Sequence, residues 1–246
     1  MRPPEAGASA WAEVGGFFRD ERLSRLGAGQ GLTTRASGDM RFERSRRAAL
    51  ARAGAPEPGV RLLRQVHGTR ISVLRRQGEE GVLSQGDGWL TDRPGAVVGV
   101  VVADCLPVWI WERSGKAAGV FHAGWRGLAA GLPGLAVAEF GRSLSIDPGD
   151  LAASVGPHVG ACCYRVGADV AARLRPESRR LRGGEVFLDL GAEARAQLVA
   201  AGLDEDAVAV CSECTSCRAA SFYSFRREGG KGPRCGHMLA FLWLGA

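Results

Sequence analysis

VVGVVVADCLPVWIWERSGKAAGVFHAGWR, residues 97–126, is the stretch on which the reading of the fold turns. Two apolar runs, 106–112 and 117–122, flank a Ser114-Gly115 turn signal, the pattern of a β-hairpin. If Arg113 pairs with Lys116, counting back along the two strands sets His122 opposite Pro107. Cys105 is two residues from Pro107 and so shares a face with His122. Diagonal neighbours in such a ladder stand ~7–8 Å apart, near enough for two side chains to reach one metal ion. A slip of one residue in register would send them to opposite faces.

A thiolate and an imidazole suit Zn²⁺, with copper as a competitor. A third ligand is needed, and His67 in RLLRQVHGTRISVL is the best placed of the other histidines. It ends an apolar run and is followed by Gly68, which permits close approach of a backbone or ligand. Three protein ligands with a fourth position open is the arrangement of a catalytic zinc site. A cysteine on a strand is more often plain core and a histidine a satisfied polar residue, so spacing alone leaves both readings open.

Working outward, helical patterning is clearest at 44–53, 127–140, 168–175 and 191–201, the last with Asp189 placed to cap its start and Gly202 to end it. Extended segments are expected at 60–66, 71–76, 97–103, 106–112, 117–122, 151–155, 184–188, 207–211, 221–226 and 238–244. Several lack alternation, which implies burial on both faces, and a sheet core covered outside by helices follows. GAPEPG (54–59) and LSIDPGD (144–150) are loops too short to separate domains, so residues 1–246 are expected to form one domain.

The chain carries a net charge of +6, but only Lys116 and Lys231 are lysines, and the arginines are spread along it. Arginine pairs occur (46–47, 75–76, 179–180, 226–227) without an aromatic-interleaved basic stripe. A basic pocket for a small anion accounts for the charge, and no nucleic-acid partner is expected. No apolar run reaches the ~18 residues that cross a bilayer, and MRPPEAGASAWAEVGG lacks the apolar core of a signal peptide, so no membrane association and a cytoplasmic location are expected. Seven cysteines, an odd number, argue against a disulfide framework.

Three further blocks bear on chemistry. In His122-Ala-Gly-Trp-Arg-Gly127 a strand passes into a helix; Ala123 and Gly124 free backbone N–H groups there and Arg126 adds positive charge, making an anion pocket beside the proposed metal. GPHVGACCYRVG (156–167) is a constrained loop whose Tyr164 is placed to stack on or hydrogen-bond a ring, while the adjacent Cys162 and Cys163 are read as packing residues. Cys211, Cys214 and Cys217, with interlocking CxxC spacings, and the later Cys235 form a weaker candidate for zinc or an iron–sulfur cluster.

Together QVHG (65–68), ADCLPV (103–108), FHAGWRG (121–127), GPHVGACCYRVG and the CT…FYSFRR…GPR block (214–234) resemble the YfiH-type laccase-domain family. Its members carry the labels polyphenol oxidase, peptidoglycan editing factor and purine nucleoside phosphorylase. The resemblance implies an α+β fold, a β-sandwich core of mixed sheets flanked by helices, similar to the catalytic domain of cytotoxic necrotizing factor toxins. It implies one zinc on His67, Cys105 and His122, and phosphorolysis of adenosine, inosine and 5′-methylthioadenosine, with some adenosine deamination. Cys105, His122 and Asp104 are then the catalytic candidates, Asp104 as proton donor or acceptor or as support for the neighbouring ligand. Arg35, Gly124, Arg126, Tyr164 and Arg226 are candidate contacts for a purine nucleoside and phosphate, in a monomer or weak homodimer.

Two departures stand out. After GLTTR (31–35) the family's longer stretch is replaced by ASGDMRFERSRRAAL, and Arg165 follows the CCY triplet where Glu is usual. Copper-dependent phenol oxidation is disfavoured, because multicopper oxidases need about ten His or Cys ligands and the chain has four histidines. A metal-free hydrolase in which His122 activates Cys105, acting on a peptidoglycan precursor, is the main alternative. A binding module without catalysis would not need an open metal position.

Overall fold

The computed structural model describes residues 11–25, 28–75, 84–229 and 235–245. Most of the N-terminal stretch, Arg76, Lys231 and the Gly232-Pro233-Arg234 triplet lie outside the described residues.

A five-stranded antiparallel sheet has the order β1 (Trp11–Val14), β2 (Phe17–Asp20), β3 (Gly29–Thr33), β14 (Met238–Trp243), β6 (Val98–Val102). A six-stranded mixed sheet runs β13 (Val208–Val210), β9 (Leu151–Val155), β7 (Leu106–Glu112), β8 (Ala118–Ala123), β5 (Gly88–Thr91), β4 (Ile71–Leu74). β10 (Arg165–Val166), β12 (Glu185–Leu188) and β11 (Arg179–Arg182) make a small third sheet.

The two large sheets face each other across Leu32, Val100 and Ala240 on one side and Trp89, Trp109 and Val120 on the other. The Trp109 indole N–H donates to the Phe241 carbonyl across that interface at 3.1 Å, satisfying a buried donor while joining the sheets. Helices α4 (Leu132–Leu144) and α6 (Leu190–Ala200) cover the other face of the six-stranded sheet, where Leu106, Val108 and Phe121 meet Ala136, Phe140 and Leu198. Helix α2 (Glu43–Ala53) packs Ala49 and Leu50 on the outer face of the five-stranded sheet, against Phe241 and Trp243. This is a β-sandwich of one antiparallel and one mixed sheet, flanked by helices. Among the described residues no helix is long and apolar enough to cross a membrane.

The hairpin takes the expected register, with Pro107 opposite His122. Asp189 caps α6 through Ala192 N, and Gly202 follows it at φ 105°. Other segments differ. The helix expected over 127–140 is split into α3 (Trp125–Ala129) and α4, because Gly131 turns left-handed at φ 80° and Pro133 fits only a first turn. The one expected over 168–175 stops at α5 (Ala168–Ala171), ahead of Pro176, which pushes Arg175 into an extended conformation. Residues 60–66 make only isolated bridges, at Arg61 and Arg64, and 221–226 is a turn rather than a strand. Strands β1, β2, β3, β5, β10 and β11 and the short helix α1 (Glu21–Ser24) were not anticipated.

Candidate metal centre and its cavity

Cys105 immediately precedes β7, His122 lies on β8 across the ladder, and His67 comes from the irregular segment before β4. Their donor atoms lie within 4.8 Å of one another, and burial is graded: His122 buried, Cys105 half-buried, His67 exposed. The two imidazoles meet edge to face with centroids 4.8 Å apart. Two imidazole nitrogens and one sulfur, converging from separate elements with one side open, are a donor set suited to zinc.

Asp87, which the sequence reading passed over, organises this trio. One carboxylate oxygen accepts from His67 N at 2.8 Å and lies 2.9 Å from His122 Nδ1; the other accepts from Gly68 N at 2.8 Å. The Asp87 carbonyl in turn accepts from His122 N at 2.7 Å. His122 is thereby oriented with Nε2 left for Cys105, the usual support of a ligating histidine by a carboxylate. The same carboxylate holds His67 at φ 57°, a left-handed conformation that costs a non-glycine residue ~1–2 kcal/mol. A signal was present in the sequence: Asp87 stands between two glycines at the mouth of an apolar strand. A Cβ on Gly88 would come 2.3 Å from the Phe121 ring, and one on Gly86 2.7 Å from the Arg70 carbonyl.

Burial opposes charge on Cys105, yet the His122 imidazolium beside it, helped by hydrogen bonds from both histidines, brings the thiol down to about 6. Burial opposes charge on His122 as well, and the Cys105 thiolate together with Asp87 lifts it to about 9. Without metal, the two form a thiolate–imidazolium pair. Gly124 gives them clearance, since a Cβ there would lie 3.0 Å from Cys105 Sγ and 3.1 Å from the His67 ring.

A cavity of about 560 Å³ opens from this site, lined by His67, Asp104, Cys105, Gly124, Arg126, Tyr164, Phe225 and Arg226 among others. Arg126 stacks on Trp125 at 4.4 Å and Arg226 on Tyr164 at 5.1 Å. Neither guanidinium makes an ion pair among the described residues. Helix α3 has five residues, so positive charge in the cavity comes from these side chains more than from a helix dipole. Burial, followed by the nearby Cys105 charge, pushes the Tyr164 phenol up to about 12, so it stays a hydrogen-bond donor.

Asp104 adopts φ 85°, and its carboxylate accepts from Thr215 Oγ1 at 2.6 Å, Ser224 Oγ at 3.0 Å and Arg226 N at 2.6 Å. That arrangement makes it the anchor of the 214–226 segment. Of the other expected contacts, Arg35 is not brought to the cavity wall: it pairs with Glu228 at 2.7 Å and stacks on Tyr223. Arg165 turns to Glu185 in the small sheet and is not among the residues that line the cavity. Phe225, exposed on the cavity wall, was missed although its block had been singled out. The late cysteines also regroup. Cys211 and Cys235 are buried and belong to neither group of converging donors, whereas Cys214 and Cys217 meet Cys162 and Cys163.

The model of the family described as multi-copper polyphenol oxidoreductase laccase matches residues 33–245. This chain belongs to the YfiH-type laccase-domain family. It is 39% identical over 194 residues to purine nucleoside phosphorylase YlmD of Geobacillus stearothermophilus, covering 72% of this chain and 69% of the relative. The crystal structure of that YlmD superposes with a TM-score of 0.83 at 30% identity over 97% of this chain and all of the other. A second relative, adenosine deaminase RL5 from an unknown prokaryotic organism, is 30% identical over 68% of this chain and 69% of its own length. The laccase-domain chain described here therefore has relatives named for two reactions of purine nucleosides.

Proposed function

We propose that the protein is a zinc-dependent purine nucleoside phosphorylase acting on adenosine, inosine and 5′-methylthioadenosine, with adenosine deaminase activity at the same site. The observation that carries this reading is the convergence of His67, Cys105 and His122 at a cavity that also holds two guanidiniums free of carboxylates. His67, Cys105 and His122 would hold the ion, which supplies Lewis-acid polarisation of an oxygen at the reacting centre. Copper oxidase chemistry gains nothing from the remaining histidines, since His158 Nδ1 faces the Gly156 carbonyl and His237 lies outside the cluster.

In phosphorolysis the bond from C1′ to the purine nitrogen breaks, an oxygen of hydrogen phosphate bonds to C1′, and the proton that the phosphate gives up ends on the leaving base. Arg126 and Arg226 hold phosphate by charge-assisted hydrogen bonds. Phe225 offers an apolar face to the purine, and Tyr164 donates a hydrogen bond. Asp104 is a positioning residue, keeping Arg226 at the wall. A cavity of about 560 Å³ lies in the range that encloses a small ligand. The chain is taken to work as one catalytic domain.

The test is product analysis with adenosine in the presence and absence of phosphate, alongside metal analysis. Phosphate-dependent adenine release, lost together with one zinc per chain in Cys105→Ala, is expected. The thiolate–imidazolium pair favours one rival, a metal-free Cys105–His122 hydrolase. Protein that is active without zinc and silenced by thiol alkylation would establish the rival instead.

A further inference from the structure

We infer that Cys162, Cys163, Cys214 and Cys217 form a second metal site, a closed four-thiolate cage for one zinc-class ion. Their four sulfurs all lie within 4.8 Å of one another, with Cys217 Sγ 3.5 Å from Cys162 Sγ and 3.4 Å from Cys163 Sγ. Four thiolates at ~2.3 Å from a tetrahedral ion have sulfurs ~3.8 Å apart, close to what is seen. An iron–sulfur cluster would set several irons between the ligands and spread them wider. A disulfide brings two sulfurs to ~2.05 Å and leaves the others out, whereas here all four surround one centre.

The backbone around the cage is arranged for thiolate. Gly160 N donates to Cys214 Sγ at 3.2 Å. Gly160 is there for clearance: a Cβ would come 3.2 Å from Cys162 Sγ and 3.3 Å from Cys214 Cβ. The two loops are already joined beside the cage, through Thr215 N to the His158 carbonyl at 2.9 Å. Cys162 and Cys217 reach solvent, which provides an entry path for the ion.

Four protein ligands leave no open position, so this site is structural. Its position gives it a task. One loop supplies Tyr164 to the cavity; the other supplies Phe225 and Arg226, and its Thr215 and Ser224 bind Asp104. An ion held between them ties together the two loops whose Tyr164 and Arg226 already stack in the cavity lining. This does not depend on which reaction the first site performs.

The experiment is zinc stoichiometry by elemental mass spectrometry on full-length protein purified under reducing conditions and loaded with zinc. Two zinc per chain are expected, with one retained in the double variant Cys214→Ser, Cys217→Ser and one retained in Cys105→Ala. Because the two variants remove different ions, failure of either site shows separately. Should the double variant not fold, alkylation of the wild type with mass mapping takes its place. Zinc should then protect Cys162, Cys163, Cys214 and Cys217 together, and a chelator should release all four. One zinc per chain in the wild type, lost entirely in Cys105→Ala, overturns the inference. So does equal labelling of the four thiols with and without zinc, or disulfides among them that form despite zinc.

Discussion

His67, Cys105 and His122 stand on or beside the ends of sheet strands, while Cys162, Cys163, Cys214 and Cys217 stand on two loops that the sheets merely bring together. The first group is oriented by a buried carboxylate and cleared by Gly124; in the second, the Gly160 N–H donates to Cys214 and the same glycine gives clearance. Three donors with an open side suit chemistry, and four with none suit structure. On the proposed reading, donor count and the support behind each donor set would separate a reactive thiolate site from a stabilising one.

The sharpest way to break this contrast is Cys105→Ala. Removing it should cost about 4 kcal/mol of transition-state stabilisation, a fall of roughly 10³-fold in kcat/KM, with the four-thiolate zinc retained. Steady-state kinetics and metal analysis on the same sample check both halves. Asp87→Asn keeps the shape but disturbs the His122 tautomer and the His67 backbone; zinc affinity at the first site should weaken ~10–100-fold in competition with a chromophoric chelator. Unchanged affinity there would show that Asp87 only shapes the loop. Arg126→Ala loses a charge-assisted contact worth ~1.5–3 kcal/mol, so KM for phosphate should rise about tenfold or more while zinc content stays as it was. A matching loss with both phosphate and nucleoside would assign Arg126 to the nucleoside instead. The smallest effect is expected from Gly160→Ala, where neighbours at 3.2–3.3 Å must give way slightly. About 1 kcal/mol would lower Tm by ~2–4 °C in a chain of this size, and the drop should disappear when zinc is removed from both wild type and variant.

Much of the hairpin was legible because its information is local. An apolar run, a Ser-Gly turn and a second run set the register, and register set Cys105 beside His122. Helix α6 was legible for the same reason, with its cap and its terminating glycine written at its ends. Strands β3 and β5 were not. Their glycines, ordinarily signs of turns, are slots for aromatic rings: a Cβ on Gly29 would lie 1.8 Å from the Trp243 ring, and Gly88 makes room for Phe121. Those rings arrive from strands far along the chain, so no local pattern announces them.

By itself, the sequence supplied the candidate donors, the hairpin that pairs two of them, and membership of a family recognised by its motifs. Tertiary structure decided which cysteines meet: CxxC spacing suggested Cys211 with Cys214, but folding takes Cys214 and Cys217 to Cys162 and Cys163. It also brought Asp87 under the histidines, drew Arg35 off to Glu228 and turned Arg165 towards Glu185. The physical reason is common to all of these. Each contact joins residues with no periodic relation along the chain, so its energy exists only once the sheets have stacked and the loops have been carried to the same edge.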